Sequence, residues 1–261
     1  YLCVLNASRM KPDYNKALIY DDNCPLCKAY TSAFVKGGFL RKENRISFSE
    51  VNIHQFNIDW HRAKHEIPLI NLATGEVKYG VDALADILRQ KFFFIDSLLK
   101  VRMLNCFARN LYKLISYNRK VIVAAQEQQS GQVDCTPDYS FFWRWLLIIT
   151  CYSLANFFII TSTAFLFQIN KISLTPFVSA CWMLLPLLTS MFSSKKMVTE
   201  IHAHASVTAT ITGFLLIIAS CFVKYFYTTP WIFYIMLSMI LVIAILQCKR
   251  RYAYILCFYK R

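Results

Sequence analysis

Charge is scarce in the second half of this sequence. The 261 residues are 56% hydrophobic and 17% charged, and past about residue 140 long apolar runs dominate. Four of these runs contain no Asp, Glu, Lys or Arg at all, which argues against a transporter or pump, since those rely on buried charge along the path. Nothing at the front reads as a leader. The opening YLCVLNASRMKPDYNK turns polar too soon for a signal peptide or a span, so no export of the N-terminal half is expected. Internal repeats and low-complexity tracts are also missing. Despite a net charge of +14, the N-terminal half has no basic stripe interleaved with aromatics, so nucleic acid is not an expected partner. The cysteine count by itself says little about disulfides. Of ten cysteines, Cys151, Cys181, Cys221, Cys248 and Cys257 lie in or beside the apolar runs, where free cysteine behaves as a small hydrophobe.

The apolar runs themselves are Trp145–Phe167, Leu174–Phe192, Ala205–Val223 and Thr228–Gln247. About 20 apolar residues suffice to cross a bilayer core as a helix. Aromatics stand near the ends, among them Trp143, Trp145, Tyr225, Tyr227 and Trp231, at the depth where amphipathic rings settle. Four membrane helices are therefore expected, and the lipid bilayer is the first expected partner. Basic residues gather on one side of them: Arg119, Lys120 and Arg144, then Lys195 and Lys196, then Lys249, Arg250, Arg251, Lys260 and Arg261. Lys171 and Lys224 fall on the other. That asymmetry predicts a multi-pass protein of the bacterial inner membrane with both termini cytoplasmic.

The first half has globular composition. KALIYDD (16–22) reads as a buried strand, and CPLCKAYTSAFVKGG as a helix with Pro25 just inside its start and Gly37-Gly38 at its end. RISFSEV (45–51) alternates like a strand, HQFNIDWHRAKH (54–65) can form a helix, and IPLINLATGEVKYG (67–80) reads as two strands about a Thr74-Gly75 turn. VDALADILRQ (81–90) is an amphipathic helix, and residues 93–125 form a long basic helical region. Strand, helix, strand, helix, hairpin, helix is a thioredoxin-like order. The expected architecture is an α/β thioredoxin-like cytoplasmic domain over residues 1–125, a polar linker over 126–140, and an all-α membrane domain of four transmembrane helices over 141–261.

The chemistry centres on YDDNCPLC (20–27). A cysteine at a helix start sits where free N–H groups and the helix dipole favour an anion, which lowers its pKa from about 8.5 toward 7 or below. Cys24 is then the candidate nucleophile and Cys27 the resolving thiol. Asp21 and Asp22 stand beside them. A carboxylate there could relay protons to Cys27 or raise the pKa of Cys24. Pro68 opens the hairpin, in the place where thioredoxin-like folds keep a cis-proline facing the dithiol.

Two other readings of the cysteine pair stay open: a retained but inactive pair, and a zinc site completed from His54, His61, His65, Cys106 or Cys135. Attachment of c-type haem is excluded because Lys28, not His, follows Cys27. Cys106 reads as core and Cys135 as a linker residue. EIHAHA (200–205) places Glu200, His202 and His204 where a cytoplasmic loop enters the third run, open to proton transfer, quinone contact or metal binding. Histidines at i, i+2 point to different helix faces, and the position reads as interfacial.

YDDNCPLC, TGEVKYGVDAL, LYKLISYNRK and the later Cys135-Thr136-Pro137, in that order, resemble the DCC family of thiol-disulfide oxidoreductase-like proteins. Its Asp-x-x-Cys-x-x-Cys motif is matched by Asp21, Cys24 and Cys27, and the resemblance covers roughly residues 15–137. It implies a thioredoxin-like fold and dithiol exchange with thiol or disulfide protein substrates. No bound cofactor is expected, since the dithiol carries the electrons. Asp22 departs from the pattern, standing where the family usually has glycine. The competing expectation is a non-catalytic accessory subunit of a larger membrane protein complex, because a reducing cytoplasm leaves little disulfide traffic.

Overall fold

The computed structural model describes residues 15–51, 56–124, 137–167, 194–226 and 230–259. The chain divides into two compact units, residues 1–139 and 140–261.

In the first unit, strands β1 (Lys16–Tyr20), β2 (Arg45–Ser47), β3 (Pro68–Asn71) and β4 (Val77–Tyr79) form one sheet in the order β2-β1-β3-β4. β1 runs parallel to β2 and antiparallel to β3, and β4 returns antiparallel to β3. Helix α1 (Pro25–Lys36) is the crossover that a parallel β1–β2 pair requires. Helices α2 (Trp60–Ala63), α3 (Gly80–Leu88), α4 (Phe94–Lys100) and α5 (Arg102–Val123) complete the unit. A small mixed sheet with this order and these helices is consistent with a thioredoxin-like domain.

Alternation along β1 splits the core in two. Leu18 points into one cluster with Leu40, Ile67, Leu69, Ala83 and Ile87, while Ile19 joins Phe48, Ile58, Ala63 and Ile70 on the other side. The elements are shorter than the sequence suggests. Of 45–51 only Arg45–Ser47 is strand, because Glu50 turns back to accept from the Ser47 hydroxyl at 2.7 Å. Of 54–65 only Trp60–Ala63 is helix, started by the Asp59 carboxylate accepting from the Arg62 N–H at 3.0 Å; residues 52–55 lie outside the described residues. The long helical region divides at Val101, whose extended backbone (ψ 113°) ends α4 and begins α5.

The second unit is helical: α6 (Phe141–Phe167), α7 (Lys195–Phe226) and α8 (Pro230–Tyr259), with α7 packed on both α6 and α8. Two helices among the described residues, Phe141–Phe165 and Lys195–Phe222, are long and apolar enough to cross a membrane. Of the four expected spans, these are the two found among the described residues. Leu174–Phe192 lies outside the described residues, and α8 carries Lys249, Arg250 and Arg251 within its helical length.

Gly80 joins the hairpin to α3 with φ +57°, and its N–H donates to the Ile67 carbonyl at 3.0 Å. A Cβ there would stand 3.3 Å from both the Glu66 Cδ and the Tyr112 ring. Since L-residues pay about 1–2 kcal/mol for left-handed backbone, Gly80→Ala is expected to destabilise the N-terminal unit by at least that much, read as a lowered thermal midpoint of the purified protein.

Candidate active site

Pro25 occupies the first position of α1, and Cys24 is its N-cap. The Cys24 Sγ accepts the Cys27 N–H at 3.4 Å, satisfying one of the helix's free donors with sulfur in place of the usual oxygen. Cys27 lies one turn on, and both cysteines are buried, at 3% and 4% exposure. The candidate nucleophile and the candidate resolver are therefore about equally buried.

The Cys24 thiol is pushed down to about 6. The Cys27 thiol donating to the thiolate is the largest cause, partly opposed by burial, with the Cys27 backbone N–H and the Arg119 guanidinium adding to the lowering. Cys27 is pushed strongly up by the same shared proton and by burial. The pair thus ionises as a unit with its negative charge on Cys24.

Asp21 ends the segment after β1. Its Oδ1 accepts from the Asn23 N–H at 2.9 Å and its Oδ2 from Arg119 Nη2 at 2.9 Å, in a pair buried on both sides. Burial opposes the charge on Arg119, but the facing charges of Cys27, Asp21 and Cys24 outweigh it and hold the guanidinium protonated. Asp22 accepts from the Ser49 hydroxyl at 2.9 Å, so the carboxylate in the glycine position is engaged with the segment after β2.

Behind Cys27 lies a cavity of about 300 Å³. Leu26, Phe34, Ile67 and Leu84 supply apolar wall, while Asp21, Arg119, Tyr30 and Tyr112 supply its polar groups. Tyr112 also accepts the Ile67 N–H at 2.8 Å, fixing the residue before Pro68. Pro68 itself is buried at the start of β3 opposite Tyr79. No described peptide bond is cis, the Ile67–Pro68 bond included, which corrects the cis-proline expected there.

The remaining candidates separate. His65 pairs with Asp138 at 2.9 Å and stacks on Tyr117, while His61 is 3.9 Å from the same carboxylate. Cys106 is exposed, a correction to its reading as core. His54 and Cys135 lie outside the described residues. Among the described residues no group of three or more His, Cys, Asp and Glu is placed to hold a metal ion. In the second unit, Glu200 pairs with Arg144 at 3.0 Å, His202 Nδ1 is 3.2 Å from the Tyr152 hydroxyl, and His204 Nδ1 is 3.1 Å from Arg251 Nη1. All three are buried, and the two histidines address different helices.

Residues 18–124 match the family model of the DCC1-like thiol-disulfide oxidoreductases. No curated protein and no solved structure matches the chain. The DCC1-like match supports a redox function for this segment and implies thiol-bearing protein substrates. It takes in Asp21, Cys24, Cys27, Pro68 and also Arg119, which charge counting alone had placed among the membrane-flanking basic residues. The signal for Arg119 was its position in LYKLISYNRK, one of the DCC1-like landmarks.

Because the Cys24 pKa is lowered on folding, ionisation stabilises the reduced fold fully above the unfolded value, about 8.5, and this is lost as pH falls through about 6. Alkylation of reduced protein by iodoacetamide is expected to rise through a midpoint near 6. Cys27→Ala removes the largest lowering cause and is expected to move that midpoint up. Arg119→Met, which strands a buried carboxylate, is expected to cost about 3–5 kcal/mol. Asp21→Asn combined with Arg119→Met should cost less than the sum of the single changes, read from thermal unfolding.

Proposed function

We propose that the protein is a membrane-bound thiol-disulfide oxidoreductase whose dithiol, Cys24 and Cys27, works at the cytoplasmic face of a bacterial inner membrane. The observation that carries the reading is the Cys24 sulfur at the N-cap of α1, lowered by a proton shared with Cys27 and backed by Arg119. In the forward direction the Cys24 thiolate attacks one sulfur of a substrate disulfide. A Cys24–substrate bond forms, the substrate S–S bond breaks, and the second substrate sulfur leaves as a thiolate that takes up a proton. Once Cys24 is bonded it no longer holds the Cys27 proton by charge. Cys27 then loses that proton, with Asp21 in the shared cavity as its acceptor, and attacks the Cys24 sulfur. The bond between Cys24 and the first substrate sulfur breaks, that sulfur departs as a thiolate and takes up a proton, a Cys24–Cys27 disulfide remains, and two electrons have passed to the substrate. A thiol donor reverses the sequence. The dithiol carries the electrons, so no bound cofactor enters.

Multi-pass anchoring completes the proposal. α6 and α7 have the length and apolarity of spans, and Leu174–Phe192 and Thr228–Gln247 match them in the sequence. Residues 126–140 join the two units as a linker, and the basic connections favour cytoplasmic termini. Four spans exceed what an anchor needs, which favours a larger membrane complex as a further partner.

The burial of both sulfurs favours a second reading, a non-catalytic subunit built on a redox fold. Trapping separates the two. Cys27→Ser is expected to accumulate a mixed disulfide on Cys24, resolved by dithiothreitol, whereas Cys24→Ser should accumulate none. Wild-type protein should show a reversible two-electron transition between about −270 and −120 mV, the span of thioredoxin-fold dithiols. Cysteines that never form the bond across that range leave the subunit reading.

A further inference from the structure

The α4–α5 segment presents an apolar face that the rest of the described structure leaves open. On α5, Leu104, Phe107, Leu111 and Ile115 recur at i, i+3, i+7 and i+11, one face of a helix, and Phe107 is 65% exposed. Phe94 and Leu98 repeat the pattern on α4 and are also exposed. Arg102, Arg109 and Lys113 stand at i, i+7 and i+11 as well, but offset by about 200° at 100° per residue, on the opposite side of α5. Arg109 is held by Asp82 at 2.7 Å, while Arg102, Lys113 and Lys100 supply outward positive charge. Residues 89–123 hold eight basic residues and one acid, Asp96, which pairs with Arg89.

A soluble domain gains nothing from so much exposed Phe and Leu unless the face is covered. An aromatic and aliphatic face backed by a basic one is the composition of a helix lying in a membrane interface, where the apolar side enters the acyl boundary and the basic side meets anionic headgroups. A bilayer is also within reach. The chain from Val123 to Phe141 can extend no further than about 60 Å, and Phe141 begins a helix with the length and apolarity of a span.

We infer that α4 and α5 form an in-plane docking face for an anionic lipid bilayer. The inference rests on the membrane-spanning reading of α6 and α7. Docking brings the dithiol unit to the headgroup layer with Ile115, which belongs both to the face and to the wall of the cavity behind Cys27, turned to the lipid. The accessible substrates are then thiols and disulfides at the membrane surface.

The test uses the full chain in nanodiscs containing phosphatidylglycerol, with p-benzoylphenylalanine introduced singly for Phe107, Lys113 or the exposed α6 residue Phe157. Lipid adducts are read by mass spectrometry after irradiation, and Cys24 alkylation verifies the fold of each variant. The expected result is lipid adduct at 107 and 157 but not at 113. Adduct at 107 should fall by about threefold or more when phosphatidylcholine replaces the anionic lipid or salt is raised, as headgroup attraction is lost. Adduct at 157 without adduct at 107 overturns the docking face and leaves the span standing. Cross-linking of 107 to a second copy of the chain also overturns it, with protein as the occupant. Absence of adduct at 157 removes the span and the inference with it.

Discussion

The buried ion pair between Asp21 and Arg119 is the constraint on which the dithiol unit depends. Its partners are 98 residues apart in sequence, one at the end of β1 and the other near the end of α5. Two charges taken from water repay their desolvation only with close geometry and full use of their remaining hydrogen-bonding capacity. Asp21 meets that demand by giving one oxygen to Arg119 and the other to the Asn23 N–H. The same bonds hold the turn that delivers Cys24 to the start of α1. Pinning α5 to the sheet and shaping the redox loop are thus one event, and a chain that had not yet docked α5 would lack the positive charge facing its cysteines.

Around that pair the site combines two opposed effects. Burial of both sulfurs disfavours any thiolate, yet the Cys27 thiol and N–H and the α1 N-terminus converge on Cys24 and reverse the balance there. On Cys27 the Arg119 charge does not reverse it, so the proton stays on Cys27 while Cys24 carries the charge. An apolar cavity strengthens each of these interactions because little solvent screens them. The two cysteines are distinguished by which sulfur caps the helix, with nearly equal burial.

In the second unit polar side chains are spent on joining helices. Arg144 of α6 meets Glu200 of α7, Tyr152 of α6 meets His202, and Arg251 of α8 meets His204. Histidines two residues apart on a helix are separated by about 200°, and each consequently serves a different neighbour. Gly213 adds close approach of α7 to α6, with a Cβ at that position only 3.1 Å from Phe158.

The order of elements, the strand β1, the proline-started helix and the cysteine spacing were legible because each is set by local rules: alternation, helix period and N-terminal capping. So was the apolar length of α6 and α7. Element ends were less so, since side chains from elsewhere in the fold, such as Glu50 on Ser47 and Asp59 on Arg62, decide where a short strand stops and a short helix starts. Arg119 illustrates the limit. In the sequence it is one basic residue among many flanking an apolar half, with the polarity of a membrane-facing charge. Only the tertiary structure decides that it turns inward to Asp21, because a side chain's electrostatic partner depends on which distant segment the packing brings within about 3 Å, and no local periodicity encodes that distance.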